Sequence, residues 1–241
     1  MVANPQPRWR VSQATQGVIV KAIENEQDHL VQVCATQLNT AVVGDILDAH
    51  GRTHQFLPQP IQGLRESMVV CGRAMPVLVE DVEGIPEKPF GLLTEALDDL
   101  RPGEVYVLTG GSLRCAGWGE ILTVTAKARG ANGAVIDGFH RDTNQVLRED
   151  WPVFSRGSYA QDAGARASVV DFRCSVTIGA VRVAPGDIVF GDIDGVLIIP
   201  QDIAEQVIEE ARQKLVAESV TKDAIRSGMS STDAYATFGV L

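Results

Sequence analysis

The chain has 241 residues, 45% of them hydrophobic and 22% charged, the balance of a folded domain with a sizeable core rather than of a disordered chain. Aspartate and glutamate total 31 against 21 lysine and arginine, a formal net charge of -10. That surplus argues against nucleic acid or an anionic membrane as a general partner, because such binding is driven by cationic side chains neutralising phosphates. It also means that any anionic substrate needs a local cationic site. No apolar run approaches the length of a membrane span, and the opening MVANPQPRWRVSQATQ lacks a secretory-signal pattern. Cys34, Cys71, Cys115 and Cys174 form no CxxC or CxH pairing, which disfavours a structural zinc and suits reduced, buried thiols of a cytoplasmic protein.

In chain order, residues 1–35 read as a polar, proline-bearing N-terminal arm, 36–200 as one α/β domain and 201–241 as a C-terminal helix and tail. Thr40 to Ala49 has apolar residues at helical spacing and Gly51 as a stop, so a helix is predicted there. SMVVCGRAMPVLVE, from Ser67 to Glu80, predicts two short strands interrupted around Gly72 and Pro76. Leu92–Leu100 predicts a helix, and Pro102-Gly103 turns the chain into a strand from Glu104 to Thr109. A glycine loop at Gly117-Trp118-Gly119 then precedes a helix from about Glu120 to Arg129, capped by Gly130, and a strand from Gly133 to Asp137. PGDIVFGDIDGVLIIP (185–200) predicts a hairpin about Asp194-Gly195, and a long amphipathic helix follows from about Gln201. Helices and strands interleave without regular βαβ periodicity, which fits a mixed α/β sandwich better than a doubly wound sheet.

The middle segment carries the chemistry. A ten-residue helix rises ~15 Å and five strand residues span ~16 Å, so a strand running back beside its helix returns to the level of the helix start. Glu120 should therefore lie near His140, Arg141 and Asp142. A glycine-flanked helix start offers unpaired N–H groups to a carboxylate or phosphate. Arg141 can grip a carboxylate or developing oxyanion with two parallel bonds, and Asp142 could hold a hard divalent cation, with Glu120 completing its surroundings directly or through water. The set suits an oxo-acid whose charge grows in the transition state. A plain surface ion pair between Arg141 and Asp142 is the competing reading.

The runs GWGEILTVTAKARGANGAVIDGFHRD, CGRAMPV and PGDIVFGDIDGVLIIP, in that family's order from about Thr40 onward, resemble the RraA-like / 4-hydroxy-4-methyl-2-oxoglutarate aldolase family. The resemblance implies an αββα sandwich of the swivelling β/β/α type and a homotrimer or homohexamer. It implies Mg²⁺- or Mn²⁺-dependent cleavage of 4-hydroxy-4-methyl- or 4-carboxy-4-hydroxy-2-oxo acids to pyruvate plus an oxo-acid, with oxaloacetate decarboxylation as a side activity. Gly119, Glu120, Ile121 and Leu122 resemble the family's pyruvyl-binding helix start, Arg141 its substrate arginine and Asp142 its metal-binding aspartate. The family's non-catalytic branch, which binds and inhibits ribonuclease E, is the alternative. Phe139 and His140 depart from the smaller or aliphatic residues that the family suggests before the arginine. The family also implies a carboxylate from a neighbouring subunit's C-terminal helix, for which Glu218 is the candidate. On a helical wheel Glu218 falls inside the arc of Ile203, Val207, Ala211 and Leu215, where a charge needs a partner or an interface.

Other patterns suggest chemistry but have simpler explanations. His50 and His54 flank Gly51 at a helix end and read as loop histidines. Asp192-Ile193-Asp194-Gly195 reads as a hairpin rather than a cation loop. Cys115 lacks a nearby base in any motif, and Gly110-Gly111-Ser112 lacks a phosphate-loop pattern.

Overall fold

A computed structural model describes residues 29–112 and 114–240. The expected arm thus lies, up to residue 28, outside the described residues. From there it departs from expectation, because His29–Gln37 is a helix, α1. Its Val33 and Cys34 are buried against later helices, which is why a segment of mixed polarity still folds.

Thr40–Ala49 forms α2, its N-cap Asn39 accepting the Val42 N–H through its side chain. The expected pair of strands after it is instead one strand of 12 residues, β2 (Val70–Asp81). Pro76 does not break it, and the pairing shows why. One edge of β2 runs parallel to β3 (Glu104–Gly110) from Arg73 to Val79. The other edge is shared, residues 70–73 pairing with β11 (Ile188–Asp192) and 77–81 with β8 (Ala167–Phe172). Pro76 falls in the gap between those partners, where an N–H is not required.

β5 (Gly133–Ile136), β7 (Val153–Ser155), the short β1 (Gln62–Gly63) and β12 (Gly195–Ile199) complete an eight-stranded mixed sheet in the order β1-β7-β5-β3-β2-β11-β12, with β8 beside β2. β1 returns close to β11 and β12, so the sheet nearly closes on itself. Side chains alternate along each strand, and the alternation sorts three apolar clusters. Val70, Val105, Val107, Val135, Phe154, Val189 and Ile198 point inward, covered by the hairpin of β9 (Val176–Ile178) and β10 (Val181–Val183). Phe190, Leu197 and Ile199 point outward beneath α1, α2 and the first half of α6 (Ala204–Arg226). Met75, Val77, Tyr106, Leu108 and Ile136 point outward on the other side, beneath α3 (Leu93–Asp98), α4 (Glu120–Ala128) and α5 (Thr143–Arg148). The mixed α/β architecture, with helices on both faces of a folded-over sheet, agrees with the sequence reading.

The hairpin falls where Asp194-Gly195 places it, with Asp192 opposite Gly195. Asp192 accepts the Thr40 N–H at 2.8 Å and the Thr40 hydroxyl at 2.7 Å, tying the turn to the start of α2. α7 (Ser231–Phe238) packs back on α6. Among the described residues no single helix is long and apolar enough to cross a membrane.

Candidate active site

The site lies beyond the C-terminal ends of the parallel strands β3, β5 and β7, where open parallel sheets leave a crevice. The glycine loop expected before α4 is a strand, β4 (Ala116–Trp118), parallel to β6 (Phe139–His140). This small ladder sets Trp118 beside His140, and the Arg141 N–H donates to the Trp118 carbonyl at 2.9 Å. The next residues on each strand, Gly119-Glu120 and Arg141-Asp142, are thereby brought together. Helix and strand lengths predicted their proximity; the ladder fixes their register.

Two buried side chains hold the helix start in place. The Trp118 indole N–H donates to the Thr123 hydroxyl at 2.8 Å, and that hydroxyl donates to the Gly119 carbonyl at 3.0 Å. The Trp118 ring packs on Tyr106 and stacks on Trp151, centroids 5.0 and 6.1 Å apart. Gly119, the N-cap of α4, supplies no side chain. The N–H groups of Ile121 and Leu122 lie in the first turn, where an α-helix has no intrahelical acceptor for them. Both residues line the cleft, so the positive end of α4 opens onto it.

A Cβ on Gly119 would stand 2.8 Å from Asp142 Oδ2 and 3.3 Å from Arg141 Cγ. A side chain at this position would have to push the Asp142 carboxylate aside. Asp142 Oδ2 accepts the Glu120 N–H at 3.3 Å, and Asp142 itself adopts φ 57° and ψ 37°. That left-handed backbone is uncommon outside glycine, asparagine and aspartate, and here it turns the carboxylate back toward α4.

Arg141 carries two carboxylates. Its Nε is 3.6 Å from Asp142 Oδ2 and its Nη1 is 2.7 Å from Asp162 Oδ1. Sequence reasoning missed Asp162, which arrives on the loop after β7. The other oxygen of Asp162 accepts the Gly164 N–H at 2.8 Å, a local turn that aims the carboxylate. No spacing rule links residues 141 and 162; only the fold does. The cleft holds about 440 Å³, and Phe90, Leu93, Leu97 and Ala163 give it an apolar wall, which it shares with Thr94 and Asp98, beside Arg141, Asp142, Asp162 and the α4 start. This wall, built largely by α3, was also absent from the sequence reading.

His140 does not line the cleft. Its side chain is buried, with Nδ1 2.7 Å from the Ser155 hydroxyl and Nε2 3.0 Å from that of Thr143, and burial pushes its pKa down. Phe139 points to the opposite side of β6 and meets Tyr159 edge to face at 5.7 Å. Glu218 lies on a helix that continues to Arg226, is largely shielded, and pairs with Lys222 at 3.0 Å. It does not line its own chain's cleft. The remaining candidates resolve into structure. His50 pairs with Glu210 at 2.8 Å, His54 bonds Thr53, and Cys115 is buried with its pKa raised by burial. Among the described residues no cluster of three or more His, Cys, Asp or Glu side chains could by itself hold a metal ion.

Comparison with known proteins converges on one family. The family model described as RraA-like, Aldolase/RraA, matches residues 40–198, which include every element of this cleft. Among curated proteins the chain is similar to protein DlpA of Legionella pneumophila, 31% identical over 79% of this chain; the chain spans only 31% of that protein's length. It is also similar to a Halalkalibacterium halodurans protein named "Putative 4-hydroxy-4-methyl-2-oxoglutarate aldolase", 29% identical over 81% of this chain and 89% of the relative. Streptomyces coelicolor RraAS2, described as an unusual member of the RNase ES inhibitor RraA protein family, shares the fold, with TM-score 0.73 and 23% identity over 80% of this chain and 96% of that one. The matched span, the aldolase-named relative and the shared architecture place this chain in the RraA-like family.

Proposed function

We propose that this chain is a divalent-metal-dependent aldolase that cleaves a 4-hydroxy-2-oxo acid to pyruvate and a second carbonyl compound. The observation that carries the reading is the convergence, at one cleft, of an open helix start, a guanidinium and a carboxylate turned back toward that helix start by a left-handed backbone. A non-catalytic docking surface has no need of that combination. Aldolase-named relatives support it.

Asp142 and Glu120 offer only oxygen, which suits a hard cation: Mg²⁺ characteristically takes one or two carboxylates while water and substrate supply the rest, and Asp162 stays with Arg141. Asp142 would hold the ion, with Glu120 beside it. When bound, such an ion supplies Lewis-acid polarisation of the 2-oxo group.

The chain's own residues do the following. The Ile121 and Leu122 N–H groups bind the substrate carboxylate at the positive end of α4. Arg141 turns its planar fork to the oxygen on which negative charge develops as the C3–C4 bond breaks, stabilising the pyruvate enolate. Glu120, exposed at the mouth, accepts the C4 hydroxyl proton through water; Glu218 of a neighbouring subunit is the alternative acceptor in a trimer or hexamer. The apolar wall limits water at the reacting carbons, which protects the enolate from premature protonation. Oxaloacetate would lose CO₂ to give the same enolate.

The test is pyruvate release from oxaloacetate and a panel of 4-hydroxy-2-oxo acids, with and without Mg²⁺ or Mn²⁺. Asp142→Ala should abolish metal-dependent turnover and leave the fold intact. No pyruvate from any substrate with either metal, together with a stable complex with a ribonuclease, would replace this reading by the regulator.

A further inference from the structure

Phe90, on the loop between β2 and α3, stands in a backbone conformation that an aromatic residue rarely takes. Its φ is 64°, in the left-handed region, and that of the next residue, Gly91, is 63°. Pairing with β8 explains the glycine, since a Cβ there would stand 2.2 Å from the Val169 carbonyl oxygen. Main-chain bonds hold the bend: the Val169 N–H donates to the Phe90 carbonyl at 3.1 Å, and the Leu92 N–H to the Val169 carbonyl at 2.9 Å. These bonds use only the backbone of residue 90, so glycine or asparagine would take the same φ at less cost. A bulky side chain kept at an unfavourable φ points to a use for the ring.

The ring lies against the main chain of Gly164, where an added Cβ would stand 3.2 Å from Phe90 Cε1 and Cζ. It lines both the main cleft and a second, smaller cavity of about 50 Å³ among Val79, Leu108, Cys115 and Val169. The two spaces share Phe90, Leu93, Gly117 and Ala163 as their common boundary, and the phenyl ring is the largest side chain in it. At the rim of the inner cavity the Asp81 carboxylate is engaged by the Ser112 N–H at 2.9 Å and by Arg114 at 3.6 Å.

We propose that Phe90 is a specificity-determining residue: its ring closes the cleft from the inner cavity and so limits the length of the branch that the substrate carries at C4. The inference rests on the aldolase reading, which puts the pyruvyl head at the α4 start and leaves the rest of the cleft to that branch. With the ring in place, a short branch fits within the cleft, and a long one must displace the ring from Gly164 or turn out toward solvent. With the ring removed, a long branch runs on between Val79, Leu108 and Val169, where each added methylene gains burial.

The experiment compares the metal-loaded protein with its Phe90→Gly variant on 4-hydroxy-2-oxopentanoate, with a methyl branch at C4, and 4-hydroxy-2-oxooctanoate, with a butyl branch. The parent should favour the short substrate, and the variant should raise the long-to-short ratio of kcat/KM by at least about tenfold, the effect of about one newly buried methylene. A residue needed only for folding would change both substrates alike and leave the ratio where it was. Phe90→Asn, also at ease at φ 64°, should shift the ratio in the same direction, and thermal melting of both variants reports their folding. Calorimetric titration with 2-oxobutanoate and 2-oxooctanoate, which lack the C4 hydroxyl and are not cleaved, should show the same change of preference in binding. A parent that turns over both substrates equally well, or an unchanged ratio in the folded variants, overturns this inference and leaves the aldolase standing. If neither 4-hydroxy acid yields pyruvate the aldolase reading fails, and the titration alone then decides whether Phe90 closes the cleft: an unchanged binding preference overturns that too.

Discussion

Gly119→Ala separates chemistry from folding at a single methyl group. The added Cβ would sit 2.8 Å from Asp142 Oδ2, where ordinary contact begins at 3.4 Å, so the carboxylate must retreat by about 0.6 Å. On the other side Arg141 Cγ, at 3.3 Å, gives little room to share the displacement. The backbone itself accepts alanine, because Gly119 is extended, at φ -170°. An alanine N-cap costs helix stability about 0.5–1 kcal/mol, so the fold should survive. Misplacing a reacting group by such a fraction of an ångström lowers kcat by about 10- to 100-fold, or roughly 1.4–2.7 kcal/mol of barrier. The assay is coupled pyruvate release at saturating metal, beside thermal melting of the same preparation. A variant that melts within a few degrees of the parent and keeps its full kcat/KM would falsify the assignment of Asp142 and Arg141 as a positioned pair.

Arg141→Lys keeps the charge but loses the planar fork, so kcat should fall by at least about tenfold while a lysine still pairs with Asp162; steady-state kinetics across the same panel would show it, and an unchanged rate removes the assigned role. Tyr106→Phe should leave the melting temperature unchanged or raise it, by up to about 1 kcal/mol in stability, because the fully buried hydroxyl has no hydrogen-bond partner. A clear loss on chemical denaturation would show that the hydroxyl is satisfied. His140, neutral between Ser155 and Thr143, has its pKa lowered from 6.5 by burial. The unfolded chain therefore takes up the proton first, and stability should decline as pH falls below about 6.5, through the lowered folded value. His140→Gln should flatten that part of a pH–stability curve; an identical slope in the variant would exonerate the histidine.

What could be read from the sequence was whatever local chemistry determines. Apolar spacing and Gly51 delimit α2, Gly130 ends α4 with φ +80°, and Asp194-Gly195 places the hairpin. The approach of Glu120 to Arg141 and Asp142 followed from matching helix rise to strand rise. What could not be read depended on partners distant in sequence. Pro76 resembled a strand break because nothing local reveals that β2 changes neighbours at that residue. The ladder of β4 and β6 is too short to show alternation, and Asp162 reaches Arg141 only after the chain has passed through β7. Val33 and Cys34 become core residues only once α6 lies over them. Glu218 met the wheel argument halfway: it is shielded from solvent as its phase suggested, but a lysine one turn on supplies its partner within the same helix.

The long strand β2 has a consequence for how the molecule comes apart. Cys71 belongs to the cluster under α1, α2 and α6, Val70 and Ala74 to the interior, and Met75, Val77 and Val79 to the layer beneath the cleft. One ribbon of backbone is thus threaded through every layer, and none of the three can be lost without exposing part of it. Amide hydrogens along β2 should exchange only through global opening, at rates that report the stability of the whole molecule. Damage at the far helices would then be felt at the cleft as a loss of folded population, with the geometry of each surviving molecule unchanged.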